Sequence, residues 1–411
     1  MKDSVPIIKQ LLSVPVVVAA LGYLVDMYDL FLFSIVRVPS LKSLNLPPES
    51  MMQSGLLLLN LQMAGMLIGG IVWGILGDKR GRLSVLFGSI IIYSLANIAN
   101  GMVQTLSAYA ILRFIAGFGL AGELGAGITL VSEILPTKIR GYGTTLVATL
   151  GVMGALLAYL VSHYFDWRTS YYIGGVLGLV LLILRFRVFE SGIFLQLKEQ
   201  NIVRGNFLML FTKKERLIKY LTSIIIGMPI WFVVGILITF SPEFGKAMGI
   251  EQPIDAGKAV LFAFAGQVAG NIISGSLSQY LQNRKKVILL FMLMSFTFVL
   301  IYLVSSLSSV NTLYAICACL GFCSGYWTLF ITVAAELFGS NIRATVATTV
   351  PNFVRGTVIP LTSLFVLLKA NMGILKSALI VGTSTYLVAV LALFYLEETF
   401  KKDINYNESP E

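Results

Sequence analysis

The chain has 411 residues, of which 57% are hydrophobic and 12% charged, and its mean hydropathy is +0.85. A water-soluble domain of this length is never so apolar, so the composition requires an integral helical membrane protein. A net charge of +10 would point to nucleic acid in a soluble chain. Here the bases fall in short loops, where they orient the protein and meet anionic headgroups, and no nucleic-acid partner is expected. No cleavage site precedes the first long apolar run, so no removable signal is expected.

Apolar segments of bilayer-spanning length occur at 13–38, 53–76, 83–103, 106–133, 141–163 and 168–189. A polar, basic stretch follows at 190–217, with Lys198, Arg204, Lys213, Lys214 and Arg216. Six more spans lie at 218–241, 257–281, 286–306, 311–337, 344–369 and 374–396. The expected organisation is a six-helix half at 1–189, a cytoplasmic linker at 190–217, a second half at 218–398 and a cytoplasmic tail at 399–411. With both termini inside, only Lys42, Arg168, Lys246, Lys258, Lys369 and Lys376 fall outside. Arg37, Arg113 and Arg355 fall within spans, Arg37 near the outer interface where it is expected to snorkel. The other Lys and Arg lie inside, which favours cytoplasmic N- and C-termini in an inner or plasma membrane.

Between spans 2 and 3 lies Gly74-Ile-Leu-Gly-Asp78-Lys79-Arg80-Gly81-Arg82, a short basic turn with one acid. A loop this short forces the two helices antiparallel, and Gly74 allows close approach of another helix. The pattern resembles the G-x-x-x-D-[RK]-x-G-R loop of the major facilitator superfamily, with Leu83 where that family usually has a base. Span 1 carries Asp26-Met-Tyr-Asp29, which resembles the D-G-Y-D of proton symporters for metabolites and aromatic acids. Span 4 carries Arg113-Phe-Ile-Ala-Gly117-Phe-Gly119, similar to the R-x-x-x-G-x-G of the same group. Arg187-Val-Phe-Glu190-Ser191 and Glu398-Thr399-Phe-Lys401 are similar to the signatures that close each half in sugar porters, without their prolines. The resemblance implies a major facilitator fold of twelve transmembrane helices in two pseudo-symmetric halves.

An internal repeat points the same way. Glu133 and Arg140 flank the turn between spans 4 and 5, and Glu336 and Arg343 flank that between spans 10 and 11, 203 residues later. Both pairs are seven residues apart. The expected cytoplasmic gate is a charge network of Gly74, Asp78, Arg82, Glu133 and Arg140 in one half meeting Glu336 and Arg343 in the other.

Ionisable residues at bilayer depth cost roughly 2.5–3.5 kcal/mol each on insertion scales, so they persist when paired or facing a wet cavity. Asp26, Asp29, Arg113, Glu123 and Arg355 qualify, the alternative for the acids being static ion pairs that fix packing. By helical rise Asp29 lies ~24 Å up from the inside and Arg113 ~10 Å down from the outside. In a ~30 Å core these depths nearly coincide. Arg113 is therefore expected to neutralise one aspartate, leaving the other buried and able to take a proton. The resemblance assigns proton coupling to Asp26, Asp29 and Arg113, with Glu123 beside them.

Arg355 lies ~15 Å into span 11, near the midplane. Its repeat counterpart is Val152, so the symmetric scaffold does not require it. The same half supplies Asn352, Trp231, Gln267, Asn271, Tyr326 and Trp327. A midplane arginine suits a carboxylate or phosphate, and aromatic walls suit a planar or apolar body. Cys317, Cys319 and Cys323 are read as packing residues and His163 as an interfacial one, so no metal or cofactor is expected.

The expected function is secondary active transport of a small anionic organic solute by alternating access with proton symport, acting as a monomer. The alternatives are a proton-coupled drug or siderophore exporter of the same fold and a non-transporting membrane sensor. No phosphate loop, metal cluster or nucleophile–base pair points to an enzyme. Substrate identity is not legible in the sequence.

Overall fold

The computed structural model describes residues 6–185, 205–305, 309–400, 406 and 408, with Thr137, Lys138 and Arg140 described in backbone only. Among them every regular element is helical. In the first half, α1 is Val14–Ser43, α2 Met51–Arg80, α3 Arg82–Asn100, α4 Leu106–Ile134, α5 Thr137–Tyr164 and α6 Trp167–Arg185. In the second, α7 is Lys214–Ile238, α8 Ala256–Leu281, α9 Arg284–Val304 and α10 Val310–Glu336. The last of the 11 long apolar helices, Arg343–Tyr395, runs to 53 residues. That would be ~80 Å if straight, far beyond a ~30 Å core. Gly373 breaks it with a φ of 75°, a conformation that favours glycine, and gives α11 (343–372) and α12 (374–395). Twelve spans result.

Polar side chains mark several helix starts. The Thr105 hydroxyl accepts from the Ala108 amide at 3.3 Å, and Asp255 accepts from Gly257 at 2.8 Å. Asn283 accepts from Lys286 at 2.8 Å. These bonds satisfy amides that a helix start leaves without partners. In α7 the α-helix gives way to a π segment at Val233–Ile238 before Ser241–Ala247.

The repeat is visible in packing. Gly65 of α2 faces the Phe114 carbonyl of α4, and Gly117 of α4 faces the Gln62 carbonyl of α2. In the second half Gly266 of α8 faces the Ala318 carbonyl of α10, and Gly321 faces that of Ala263. A Cβ at any of these would meet backbone, so small residues set the spacing of both helix pairs. The expectations at Arg187, Glu190, Ser191, Lys198, Arg204 and Lys401, and much of 190–217 and 399–411, lie outside the described residues. Glu398 is described, and it caps α9 by accepting from the Arg284 and Lys285 amides at 3.0 and 3.1 Å.

Candidate functional site

The halves meet where α11 packs on α2 and α4 and where α8 packs on α5 and α1, with a polar centre among α1, α7, α8, α10 and α11. Asp26 of α1 pairs with Arg355 of α11 at 3.5 Å, and both are buried. This differs from the expected pairing with Arg113. The second guanidinium nitrogen donates to the Asn352 amide oxygen at 3.3 Å. Asn352 is itself held, its nitrogen donating to the Ala121 and Thr348 carbonyls at 2.8 Å. Trp231 and Trp327 flank the guanidinium, their ring centroids 6.0 and 5.9 Å away. The Trp327 indole donates to the Tyr23 hydroxyl at 2.9 Å across the halves. The cation thus lies in an aromatic slot with its carboxylate at one end.

The space beside this pair is nearly closed, about 10 Å³, room for one water at most. Gln267, Trp231, Trp327 and Arg355 line it, as expected. Phe31 and Phe264 line it too, their centroids 4.1 Å apart. Neither was singled out in the sequence, although Phe264 lies one turn before Gln267 on α8. Three expected residues do not line it: Asn352, which holds Arg355 from behind, and Tyr326 and Asn271. Tyr326 donates to the Ile226 carbonyl at 3.1 Å, and Asn271 is buried within α8.

The other arginines have different partners. Arg113 donates to the Gln62 amide oxygen and, at 3.4 Å, to the Tyr171 hydroxyl. Its guanidinium also sits 4.9 Å from the Phe33 ring. Its charge reaches Asp29, but no ion pair closes, and neither Asp29 carboxylate oxygen has a hydrogen-bond partner. Glu123 is held bidentately by Arg185 at 2.5 and 2.9 Å, and Ser89 donates to it at 2.8 Å. Arg185 was missed because it ends α6 and reads as a flanking base. Gly22 of α1 makes room for the pair, since a Cβ there would overlap both side chains.

Both faces of the molecule are sealed around the cavity. On the face of the 77–82 turn, Asp78 accepts from the Thr345 amide and hydroxyl at 2.8 and 2.6 Å, and from Ala344 at 3.3 Å. One carboxylate from the first half thus caps the start of α11 in the second, where the helix dipole favours an anion. Gly74 lets this approach happen, lying against the Thr345 backbone. Of the expected charge network, the described acids Glu133 and Glu336 each have a bond within their own half. Glu133 bonds Arg82 at 2.6 Å within the first half, and Glu336 bonds Arg284 at 2.7 Å within the second. Arg343 is buried at the start of α11, and the side chain of Arg140 lies outside the described residues.

On the opposite face Arg37 does not snorkel. It is buried and bonds Glu243 bidentately across the halves at 2.8 and 2.9 Å. Ser34 meets Thr239 at 3.1 Å beside it. Arg37 and Glu243 are 206 residues apart, close to the repeat offset, so the outer end of α1 meets the short helix Ser241–Ala247 that follows α7.

The Asp78 cap makes a direct expectation. A hydrogen bond to a charged group contributes about 1.5–3 kcal/mol. Asp78→Ala should therefore loosen this seal by about tenfold or more in equilibrium constant. A cysteine at Thr348, buried between the halves, reports it through its rate of thiol labelling. Unchanged labelling would mean that other contacts hold this face.

Two helical halves closing from both sides on a polar, aromatic-walled centre define a solute transporter. The sequence model of the Major Facilitator Superfamily matches residues 19–358, and the chain belongs to that family. A gentisate transporter of Corynebacterium glutamicum is 24% identical over 399 residues, covering 91% of this chain and 86% of that one. A niacin transporter of Acinetobacter baylyi is 32% identical over 178 residues, but the match spans only 42% of this chain and 40% of that one. Among solved structures, a proton:xylose symporter bound to 6-bromo-6-deoxy-D-glucose superposes with a TM-score of 0.74 at 17% identity, covering 95% of this chain and 97% of that one. That likeness shows the fold.

Proposed function

We propose that the protein carries a small planar organic carboxylate across the inner or plasma membrane by alternating access, in symport with a proton, with both termini cytoplasmic. The observation that supports this most is the Asp26–Arg355 pair, which joins the halves between two tryptophans at the cavity wall. A guanidinium binds a carboxylate best through two parallel hydrogen bonds, and Arg355 already commits one terminal nitrogen to Asn352 and the other to Asp26. A substrate carboxylate arriving in the cavity competes with Asp26 for the guanidinium. The substrate ring stacks between the aromatic walls, and Asp26, losing its counter-charge, takes a proton. The site is then neutral overall, and the halves can rock without moving an unpaired buried charge. Release on the other side reverses the exchange: the proton leaves Asp26, which recaptures Arg355.

Ring carboxylates of the kind named for the relatives match the chemistry of this slot, a guanidinium between aromatic rings, which must open to admit one. Counterflow in proteoliposomes tests the reading, comparing benzoate, its amide and a neutral sugar. Exchange of benzoate but not the amide, and uphill uptake abolished by a protonophore, are the expected results. Exchange of the amide as fast as the acid, or uphill uptake indifferent to the protonophore, would overturn it.

A further inference from the structure

The coupling scheme uses Asp26 and leaves Asp29 without a task. Asp29 is fully buried, and both carboxylate oxygens lack hydrogen-bond partners. Asn97 of α3 lies beside it without closing a bond, and both of its amide atoms are unpartnered. The same is true of both amide atoms of Asn100 and of the Ser94 and Tyr93 hydroxyls, all buried. Ser94, Asn97 and Asn100 are three residues apart and share one face of α3.

Each unsatisfied buried polar group costs about 1–3 kcal/mol, so a row of them is untenable in a dry core. Bound water, making about three hydrogen bonds per molecule, is the ordinary remedy. Successive side chains rise by ~4.5 Å along the helix, a step that a single water bridges. The opposing helix comes close along this row, its glycines lying against these side chains. Gly174 of α6 faces Asp29, and Gly178 faces Ser94 and Tyr93, where a Cβ would come within 3.1 Å of the Tyr93 hydroxyl. Asn100 is the last residue of α3, close to exposed Met102 and Gln104 at the face opposite the basic turn. The other end of the row is Asp29, one turn from Asp26. The substrate cavity is lined by Met27 and Phe31 of α1 and by none of these groups.

We infer that Asn100 and Asn97 hold a file of water inside the first half, which carries protons between that face and Asp29 along a route separate from the substrate's. The inference rests on the proton-symport reading. Other charged or titratable groups facing Asp29 are Arg113 of α4, Tyr93 of α3, Tyr171 of α6, and Tyr28 and Asp26 of α1. Arg113 keeps a positive charge beside the carboxylate, so the file delivers its proton to an acid whose charge is already partly balanced. Asp29 passes the proton to Asp26 when the substrate takes Arg355.

The test measures two rates of full-length protein in proteoliposomes with radiolabelled benzoate: uphill uptake driven by a pH gradient, and counterflow without one. Asn97→Leu should slow uphill uptake at least about tenfold and leave counterflow within about twofold. Asn97→Ser keeps a small polar group and should restore most of the uphill rate. Asn100→Leu should repeat the defect. Uphill uptake at the wild-type rate in both leucine variants would overturn the file. Equal loss of both rates in Asn97→Leu and Asn97→Ser would also overturn it, by showing a packing role. Asp26→Asn, run alongside, separates the two claims: if it retains uphill uptake, the symport reading itself fails.

Discussion

Replacing Arg355 with alanine should abolish measurable binding of ring carboxylates, and replacing it with lysine should weaken binding by about 10- to 100-fold. Lysine keeps the charge but loses the planar fork that grips a carboxylate with two bonds. It also loses the flat cation that fits between Trp231 and Trp327. Arg355→Ala removes the anchor and leaves Asp26 buried without a cation, which destabilises the pair's surroundings by about 3–5 kcal/mol if Asp26 stays charged. Melting temperature in detergent separates that loss from the loss of binding. If the lysine variant binds benzoate as tightly as the wild type, Arg355 holds the halves together and does not hold substrate.

The second large effect has an unusual sign. Asp26→Asn should bind benzoate more tightly than the wild type, by about tenfold or more. Removing the internal competitor leaves a buried guanidinium that only the substrate can neutralise. The same variant should lose uphill uptake and retain counterflow, because exchange moves no net proton. Titration calorimetry and paired transport assays read both parts. Weaker binding in Asp26→Asn would show that Asp26 supports the substrate and does not compete with it.

The parts legible in the sequence were those with a local or periodic signature. The twelve spans follow from hydropathy, and the Gly74–Arg82 turn carries its own topology. The close approach of another helix at Gly74, which is α11, could be anticipated from the missing side chain. Partners were less legible. Helical rise gives height in the bilayer but not the direction a side chain faces. Asp26 and Asp29 lie one turn apart, yet the first faces α11 and the second α3 and α6. Arg113 is at the right height for both and bonds Gln62 instead. Arg37 with Glu243 and Arg355 with Asp26 are separated by 206 and 329 residues, too far for any spacing rule. Of the expected gate, Glu133 and Glu336 bond Arg82 and Arg284 inside their own halves. The inter-half bond falls to Asp78, whose acceptors' partners are backbone amides and so leave no mark in the sequence beyond Thr345.

The central claim is that one guanidinium serves two carboxylates in turn, so that binding substrate makes Asp26 take up a proton. Proton uptake on binding measures this directly, in weakly buffered detergent solution with a pH-indicator dye, as benzoate saturates the purified protein. The wild type should take up about one proton per benzoate bound, the amide should cause no uptake, and Asp26→Asn should bind benzoate without uptake. Binding of benzoate by the wild type with no change in bound protons across neutral pH, or uptake that persists in Asp26→Asn, would contradict the account.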